Sequence, residues 1–438
     1  MKRTLLLVAT VALAFSASAQ QVWTMQQCID YALEHNIGIQ QSQLSRQNAD
    51  YQYEMTKDSW LPSINASAGE YLGFGQSPSY TGVYVPDNSS STSVGLDVSL
   101  PLFQGLSIYN STKSSYLNLQ ACTHDLEAAK RDLRLTIMAY YMQVVYCKEL
   151  KGVAEQQLEL SQNQYEMTRQ LYEVGRKAEA DVYESKAQVA ANQSSLTEAD
   201  NNLMLSLLDL TQAMEIESIE NFDVVSPDEF LDLIDYQLPS PQTTIENALN
   251  QQPIMQAAQL RLQQSLYDLK VAKSAWYPSL SFFGGYSNGY YNYFTKGYDN
   301  IPLPDQIKMN SRAQLGFSLN IPIFNRMQTR YRVKMAEVNI ENHTLEIENK
   351  SKALKKEIQQ AYYNALAAEQ KYNSADNALK SSQMAFDYAE AGFEAGKTTQ
   401  MELNESRTRL YQAESALLQA KYEYLYRCKV MEFYNEQE

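Results

Sequence analysis

Few residues in this chain have both the type and the spacing that catalysis or metal binding requires. The three histidines, His35, His124 and His343, are isolated, with no nucleophile elbow, phosphate-binding loop or metal-ligand spacing near them. The 15 methionines are dispersed rather than clustered. The sequence therefore predicts no enzyme, no cofactor and no metal site.

Two similar stretches contain the remaining candidates, "YEVGRKAEADVYE" from Tyr172 and "FEAGKTTQMELNE" from Phe393. In each, a glycine follows an aromatic residue by three positions, and two acids follow that glycine by six and nine positions. The acids are Asp181 and Glu184 in the first stretch and Glu402 and Glu405 in the second. A spacing of three places both acids of a pair on one helix face. Such a face can be merely solvated, or it can have a function, and both interpretations stay open at this point.

Long helices must position these acids. Only 16 Gly and 12 Pro interrupt 438 residues, and Ala, Leu, Gln, Glu, Lys and Tyr dominate, which favours extended helices and coiled coils. The apolar periodicity predicts helices over residues 106–172 and 327–393, each roughly 100 Å long at 1.5 Å per residue. Shorter helices are predicted over 25–59, 181–214, 251–275 and 400–434. A glycine between two helices is typical of a left-handed turn.

The four cysteines fall mainly on apolar helix stripes. Cys122 and Cys147 share one stripe, and Cys428 lies on another. This pattern favours buried thiols that pack as small apolar groups, although the disulfide state is open. Cys28 follows "TMQQ", which differs from the sequence expected before a lipid-modified cysteine, so no N-terminal lipid is predicted.

The N-terminus, "MKRTLLLVATVALAFSASAQ", has the basic start, apolar run and small-residue end of a cleaved signal peptide over residues 1–19. The full chain has a net charge of −15, and removal of Lys2 and Arg3 makes it more negative. An acidic protein is a poor partner for nucleic acid. After the signal, no apolar run approaches the ~18 residues of a membrane helix.

The chain is internally duplicated. "WLPSI" at Trp60 matches "WYPSL" at Trp276, and "VSLPLF" matches "LNIPIF". Gly175 follows Pro101 by 74 residues, as Gly396 follows Pro322. The predicted organisation is a first repeat over 20–217, an acidic and proline-containing linker over 218–242, and a second repeat over 243–438. The turns at the two glycines are the predicted tips of two long helical hairpins.

Each repeat also has a segment of period-two alternation, which predicts β-hairpins over residues 63–101 and 279–322. Their strands have about the ten-residue length of tilted membrane strands, and "FFGGYSNGYYNYF" is similar to an aromatic girdle. Because a membrane sheet cannot leave open edges, and four strands cannot close, two, three or four copies would have to form 8, 12 or 16 strands. The alternative is a periplasmic coiled-coil scaffold with a soluble sheet.

In their order and spacing, these motifs resemble the TolC-type outer-membrane efflux family over essentially the whole mature chain. The resemblance implies an α+β membrane protein, a homotrimer whose β-hairpins join one 12-stranded barrel among outer-membrane lipids, continued by a helical tunnel across the periplasm. It implies a passive exit duct of a tripartite efflux system, with a periplasmic adaptor and an inner-membrane pump as partners. A duct for type I protein secretion or for metal-ion efflux would have the same fold.

The resemblance also assigns roles to the candidate residues. The tips that face the adaptor would be Val174, Gly175, Arg176, Ala395, Gly396 and Lys397. The acids Glu402 and Glu405 would give a ring of six carboxylates at the pore constriction, which favours cations and whose crowding raises pKa values. Asp181, with Glu184 beside it, would belong to the gate and its latch.

Two positions of the latch depart from the family pattern. Phe393 and Thr398 stand where the family has Tyr and Arg. We therefore expect Arg176, Lys177 or Lys397 to supply the positive group that binds Asp181, or the closed state to be held less firmly.

Overall fold

The structure, a computed structural model, describes residues 21–219, 222–225, 238–295 and 299–435. The predicted signal peptide and much of the predicted linker lie outside the described residues, so the repeat boundaries stay a prediction. The chain forms two compact units. We call them the helical unit (Met1–Leu44, His124–Gln256 and Glu348–Glu438) and the sheet unit (Ser45–Thr123 and Ala257–Ile347).

The two halves of the chain have similar element orders, but the loop between the two sheet strands contains two short strands in the first half and one short helix in the second. The helices are α1 Met25–His35, α2 Ile37–Lys57, α3 Ser107–Glu173, α4 Glu179–Ala213, α5 Pro241–Gln251, α6 Pro253–Ser274, α7 Leu303–Asn310, α8 Gln328–Glu394 and α9 Gln400–Asn435. The strands are β1 Gln21–Trp23, β2 Ser63–Gly73, β3 Gln76–Pro78, β4 Tyr84–Pro86, β5 Ser89–Gln104, β6 Phe222–Val224, β7 Ser279–Tyr293 and β8 Arg312–Asn320. The two long helices, α3 and α8, have 67 residues each, which confirms the predicted equal lengths.

The sheet unit is built on one antiparallel sheet of order β2-β5-β7-β8. The two hairpins therefore join through β5 and β7, while β2 and β8 are the edge strands. The register places Val94, Leu96 and Val98 on the same face as their partners in β2 and β7. Because side chains alternate across a strand, one face is largely apolar and the other is rich in Ser, Gly, Asn and Gln.

The chain leaves the sheet by the same backbone turn in each half. Gly105 and Leu106 have φ of 59° and 64°, and Arg326 and Met327 have φ of 56° and 63°. The first turn requires glycine for a second reason, because a Cβ on Gly105 would lie 2.6 Å from the Ser274 carbonyl oxygen. The sequence duplication therefore extends to rare left-handed backbone conformations.

The helical unit packs α1, α3, α4, α8 and α9 around one core. Tyr141 lies at its centre, fully buried, and its hydroxyl donates to the carbonyls of Val225 (2.5 Å) and Trp23 (3.2 Å). Strands β1 and β6 pair in parallel next to it. The buried members of this core are Cys28, Ile29, Ala32, Ile137, Tyr141, Met142, Val144, Val145, Leu207, Leu210, Met214, Phe222, Val224, Ala368, Tyr422, Tyr424, Leu425 and Cys428.

The cysteines are free thiols. Of the three cysteines predicted to be buried on helix stripes, Cys147 and Cys428 are buried, whereas Cys122 is only partly buried; Cys28 is buried as well. Burial raises the pKa of the Cys28 thiol to about 12 and that of Cys428 to about 11, because the thiolate would lose its hydration. These thiols therefore pack as apolar groups and stay protonated at neutral pH.

The predicted opening helix over 25–59 is wrong in one respect, because it is broken at Asn36. This residue is extended, and its side-chain oxygen accepts from the backbone N–H of Gly38 (2.9 Å) and Ile39 (3.3 Å). Its amide also donates to the Ala213 carbonyl (3.1 Å), so a tertiary contact holds the break. Similarly, α6 begins only at Pro253, since the residue before a proline disfavours the helical conformation. Across the described residues, no helix is long and apolar enough to cross a membrane.

Candidate functional site at the helical tips

The turn between α3 and α4 and the turn between α8 and α9 have the same geometry. We call them the first tip, residues 174–178, and the second tip, residues 395–399. Gly175 and Gly396 are left-handed, with φ of 73° and 72°. In the first tip the N–H groups of Gly175 and Arg176 bond to carbonyls of the last helical turn, both at 2.8 Å, and the second tip repeats both bonds at 2.9 and 2.8 Å. Each long helix thus ends in a Schellman motif.

The six residues predicted to contact an adaptor are exposed at these tips. Val174 is the most apolar of them and is 69% exposed. The others are Gly175, Arg176, Ala395, Gly396 and Lys397. These six residues therefore form a small exposed surface with one large apolar side chain, Val174, and two positive charges, Arg176 and Lys397.

In the second tip, Glu402 closes a capping box with Thr399. Its carboxylate accepts from the Thr399 N–H (2.8 Å) and hydroxyl (2.9 Å), while the Glu402 N–H donates to the Thr399 hydroxyl (3.2 Å). These bonds lower the pKa of Glu402, because they stabilise its charged form. In the single chain this shift is opposite to the rise expected from carboxylate crowding. Sequence reasoning missed this cap, although Thr-x-x-Glu before a helix is its signature.

Glu405 lies one turn further along α9, exposed like Glu402. Its carboxylate pairs with Arg409 at 2.5 Å, an i,i+4 ion pair between exposed side chains. Such a pair contributes little to stability, since solvent screens it. The two acids predicted to line the constriction are therefore both on the surface at the start of α9, one fixed by the cap and one in an exposed ion pair.

In the first tip, Asp181 holds the start of α4 less completely. Its carboxylate accepts from the Ala178 N–H at 3.2 Å, but Ala178 has no hydroxyl to return the bond. Glu184 instead accepts from the Asn404 side chain of α9 at 3.4 Å, which joins the two halves of the chain. The four predicted acids therefore do not form one cluster. They divide into two caps, one ion pair and one contact between repeats.

The latch on Asp181 stays a prediction, and the single chain shows other contacts near it. Among the described contacts, Lys177 lies over the ring of Phe393, with its ammonium 4.6 Å from the ring centroid, and Asp181 caps its own helix. A cation over an aromatic face is attracted by the ring quadrupole. In the single chain, Lys177, one of the three predicted donors, therefore contacts the aromatic ring at the position where the family has Tyr. Thr398 packs against Gly392, where a Cβ would lie 2.2 Å from the threonine hydroxyl.

Behind the second tip, a charged residue occupies a core position between α8 and α9. Arg407 is 5% exposed, on the same stripe as the buried Leu403 and Leu410. Its guanidinium lies 5.7 Å from the centroid of Phe386, and burial lowers its pKa although Glu390 counteracts this. Sequence reasoning missed Arg407, because only the packing reveals its burial. A buried charge of this kind costs stability and can fix the register of two helices.

Within residues 21–219, 222–225, 238–295 and 299–435, no group of three or more His, Cys, Asp or Glu side chains could hold a metal ion.

Comparison with known families places this architecture among export channels. The family model described as "Outer membrane efflux protein" matches residues 28–214 and 244–427. The outer membrane protein TolC of Vibrio cholerae is 24% identical over 425 residues, covering 97% of this chain and 93% of that protein. The cation efflux system protein CusC of Escherichia coli is 22% identical over 420 residues, covering 90% of this chain and 82% of that protein.

Solved structures show the same fold. The CmeC outer membrane channel of Campylobacter jejuni superimposes with a TM-score of 0.78 at 19% identity, covering 94% of this chain and 85% of that chain. The open state of the MtrE outer membrane channel of Neisseria gonorrhoeae gives a TM-score of 0.71 at 18% identity, covering 94% and 88%.

Proposed function

This chain belongs to the outer membrane efflux protein family, and on that premise we propose that three copies form a passive exit duct through the outer membrane. The duct receives its cargo from an inner-membrane pump through a periplasmic adaptor. The chain itself catalyses no reaction, and the pump supplies the energy. The family match covers both repeats, and so both repeats contribute to the duct.

The four-stranded sheet is the observation that carries this proposal. Its apolar face is bare, with Leu315, Phe317 and Leu319 of β8 exposed by 78, 69 and 61%. Its edge strands β2 and β8 each have one side without a strand partner in the sheet order. In hydrocarbon such edges must be paired, because no water satisfies their backbone groups. Neighbouring copies can supply that pairing, and the family likeness favours three copies and twelve strands.

Aromatic side chains at the two ends of the strands support a membrane position. Trp60, Trp276 and Phe324 lie where the chain enters or leaves the sheet, and they are 45, 52 and 74% exposed. Tyr286 lies opposite Ala313, at the end of β8 away from Phe324, and is 46% exposed. Aromatic rings of this kind concentrate at both boundaries of a membrane barrel, about 25 Å apart.

The helical tips are the proposed adaptor contact and gate. Their exposed Val174, Arg176 and Lys397 can pack against and pair with a helical hairpin of the adaptor. Glu402 and Glu405 from three copies would place six carboxylates at the constriction, where they select cations. The Lys177 contact with Phe393 takes the place of the latch and holds the first tip against the second.

Fractionation followed by native mass spectrometry tests the duct against the scaffold alternative. We expect the protein in the outer-membrane fraction, released by detergent and not by a salt wash, with the mass of three copies. A protein that a salt wash releases, or one that stays monomeric after detergent extraction, would contradict the proposal. The same preparation serves for recordings in planar bilayers.

A further inference from the structure

Strand β7 is longer than its partner β8. On one side, β7 pairs with β5 along its whole length, up to Tyr293 opposite Ser89. On the other side, β8 pairs with it only as far as Ser287, opposite Arg312. From Gly289 to Tyr293, the second edge of β7 therefore faces something other than a strand.

Side-chain amides complete this edge. Gln306 of α7 accepts from the Tyr291 N–H at 2.9 Å and donates to the Tyr291 carbonyl at 2.8 Å. Asn300 does the same with Tyr293, at 2.7 and 2.9 Å, and Asn310 donates to the Gly289 carbonyl at 2.5 Å. The bonded residues of β7, Gly289, Tyr291 and Tyr293, are two positions apart. The residues of a strand that bond to one neighbouring strand in an antiparallel ladder have the same spacing. We call Asn300, Gln306 and Asn310 the amide clamp.

The clamp fixes α7 beside the apolar face of the sheet. Tyr286 lies opposite Leu96 and Ala313, so it belongs to that face. Its hydroxyl lies 3.0 Å from the Ser311 hydroxyl, directly after α7. Asn288, on the same face, donates to the Ile307 carbonyl at 2.8 Å. Helix α7 therefore lies at the level of Tyr286, which the proposed function places at the outer membrane boundary.

Large apolar side chains of α7 remain uncovered. Leu303 and Ile307 are 48 and 47% exposed and Met309 is 69% exposed, whereas Gln306 is 5% exposed. Lys308, between Ile307 and Met309 in the chain, is also exposed. A short helix with apolar flanks and a lysine near its end has the composition of an interfacial element, because lysine can extend its ammonium to lipid phosphates.

We propose that α7 is an interfacial helix that inserts Leu303 and Ile307, which lie four residues apart on one helix face, among the acyl chains of the outer leaflet. This inference rests on the proposed membrane position of the sheet. We choose lipid as the partner of these side chains because α7 continues the apolar face of the sheet at the level of Tyr286, and the proposed function already places that face in lipid. The amide clamp holds α7 beside Gly289 to Tyr293 of β7, the part of that strand that β8 does not reach.

Site-specific photo-cross-linking in intact cells tests this placement. A benzophenone amino acid at Leu303 or Ile307 should give lipid adducts, as should the same group at Phe317 on the apolar face of β8. At Tyr80, a fully exposed loop residue, no lipid adduct is expected. A cross-link from 303 or 307 to a second copy of the chain, or no adduct while 317 reacts, would overturn the proposal. A lack of adducts at 317 would instead contradict the membrane sheet itself.

A matched pair of substitutions tests the clamp. Gln306→Glu keeps the acceptor for the Tyr291 N–H but removes the donations to the Tyr291 and Ile301 carbonyls. We expect the lipid adduct at 307 to fall several-fold, while the adduct at 317 stays constant and reports correct insertion. Gln314→Glu makes the same change on the polar face of β8 and should leave both adducts unchanged. An unchanged adduct at 307 in Gln306→Glu would contradict the clamp's role.

Discussion

The first and second tips have the same backbone and the same spacing of acids, yet they are stabilised differently. The second tip is stabilised from within, by the Thr399–Glu402 capping box. The first tip has Ala178 at the corresponding place, and it is held from outside, by Lys177 on Phe393 and by Asn404 on Glu184. Duplication has therefore preserved the turn but not the contacts that fix it.

This difference assigns different parts to the two tips in opening. A tip that is held by contacts to its neighbour can move once those contacts break, whereas one that is capped internally moves as a unit. We therefore expect the first tip to shift when an adaptor binds, and the second to keep its acids in a fixed place. The following experiments test this comparison.

Substitution of the tip glycines has the largest expected effect, and it should be the same in both tips. Gly175→Ala or Gly396→Ala places a side chain in the left-handed region, at a cost of roughly 1–2 kcal/mol. Apart from the neighbouring residues in the chain, no atom lies within 4 Å of either added Cβ. The loss of stability should therefore come from the left-handed backbone conformation and not from a steric clash. Amide exchange in the last helical turn should accelerate by a factor of roughly 5–30.

Gly152→Ala is the matched control, because Gly152 lies inside α3 and its Cβ also has open space. There alanine should slow local exchange, since glycine weakens a helix interior. If Gly396→Ala behaved like Gly152→Ala in exchange measured by mass spectrometry, the shared left-handed turn would be refuted.

The caps should respond in opposite directions. Thr399→Ala removes the capping box and should destabilise the start of α9 by about 1 kcal/mol. Ala178→Ser should add the missing hydroxyl next to Asp181 and stabilise the start of α4. Amide exchange of the first turn of each helix measures both effects. If Ala178→Ser destabilised the start of α4, as Thr399→Ala should destabilise the start of α9, the claim that the first tip has an incomplete cap would be wrong.

Acid should weaken the second tip through Glu402. Its pKa is lowered from 4.5 in the folded chain, so its contribution to stability is present above that value and is lost as pH falls through the folded pKa. The protection of amides at the start of α9, measured relative to the intrinsic exchange rate at each pH, should therefore fall below pH 4.5 in the native chain. In Thr399→Ala this acid dependence should shrink. An equal pH dependence in the native chain and in Thr399→Ala would show that the acid effect does not arise from the bonds between Glu402 and Thr399.

The contact between the tips should have the smallest effect. The Lys177 and Phe393 pair is expected to couple by roughly 0.5–1 kcal/mol, since it is near the surface. A double-mutant cycle with Lys177→Gln and Phe393→Leu, measured by amide exchange in the first tip, isolates this coupling. Lys397→Gln with Phe393→Leu is the control and should be additive. A coupling near zero in the first cycle would exclude the pair as the latch.

The sequence allowed the long helices, the paired strands and both tip glycines to be predicted, because each depends on local periodicity or on backbone conformation. Equal spacing from Pro101 to Gly175 and from Pro322 to Gly396 even required equal helices. The break at Asn36 and the helix α7 could not be predicted, since both depend on hydrogen bonds to distant segments. Likewise, Lys177 and Phe393 are far apart in the chain, and only packing brings them together.

The site was predictable to a lesser degree than the fold. The acids were found from their spacing, but their present partners were not. The capping role of Thr399 could have been predicted, because Thr-x-x-Glu is a local sequence pattern. The burial of Arg407 could not, because it depends on how α8 and α9 pack. Chemistry that follows from neighbouring residues can be read from sequence, and chemistry that follows from packing cannot.

The central claim, a duct whose constriction is formed by the acids of the second tip, is tested most directly by the reversal potential of the purified protein in a planar bilayer under a potassium chloride gradient. We predict a cation-selective value for the native chain. Glu402→Gln with Glu405→Gln should move it strongly towards zero, since Gln keeps the cap but removes the charge. Asp181→Asn with Glu184→Gln should move it much less. Equal shifts in the two double variants, or unchanged selectivity in the first, would contradict the account.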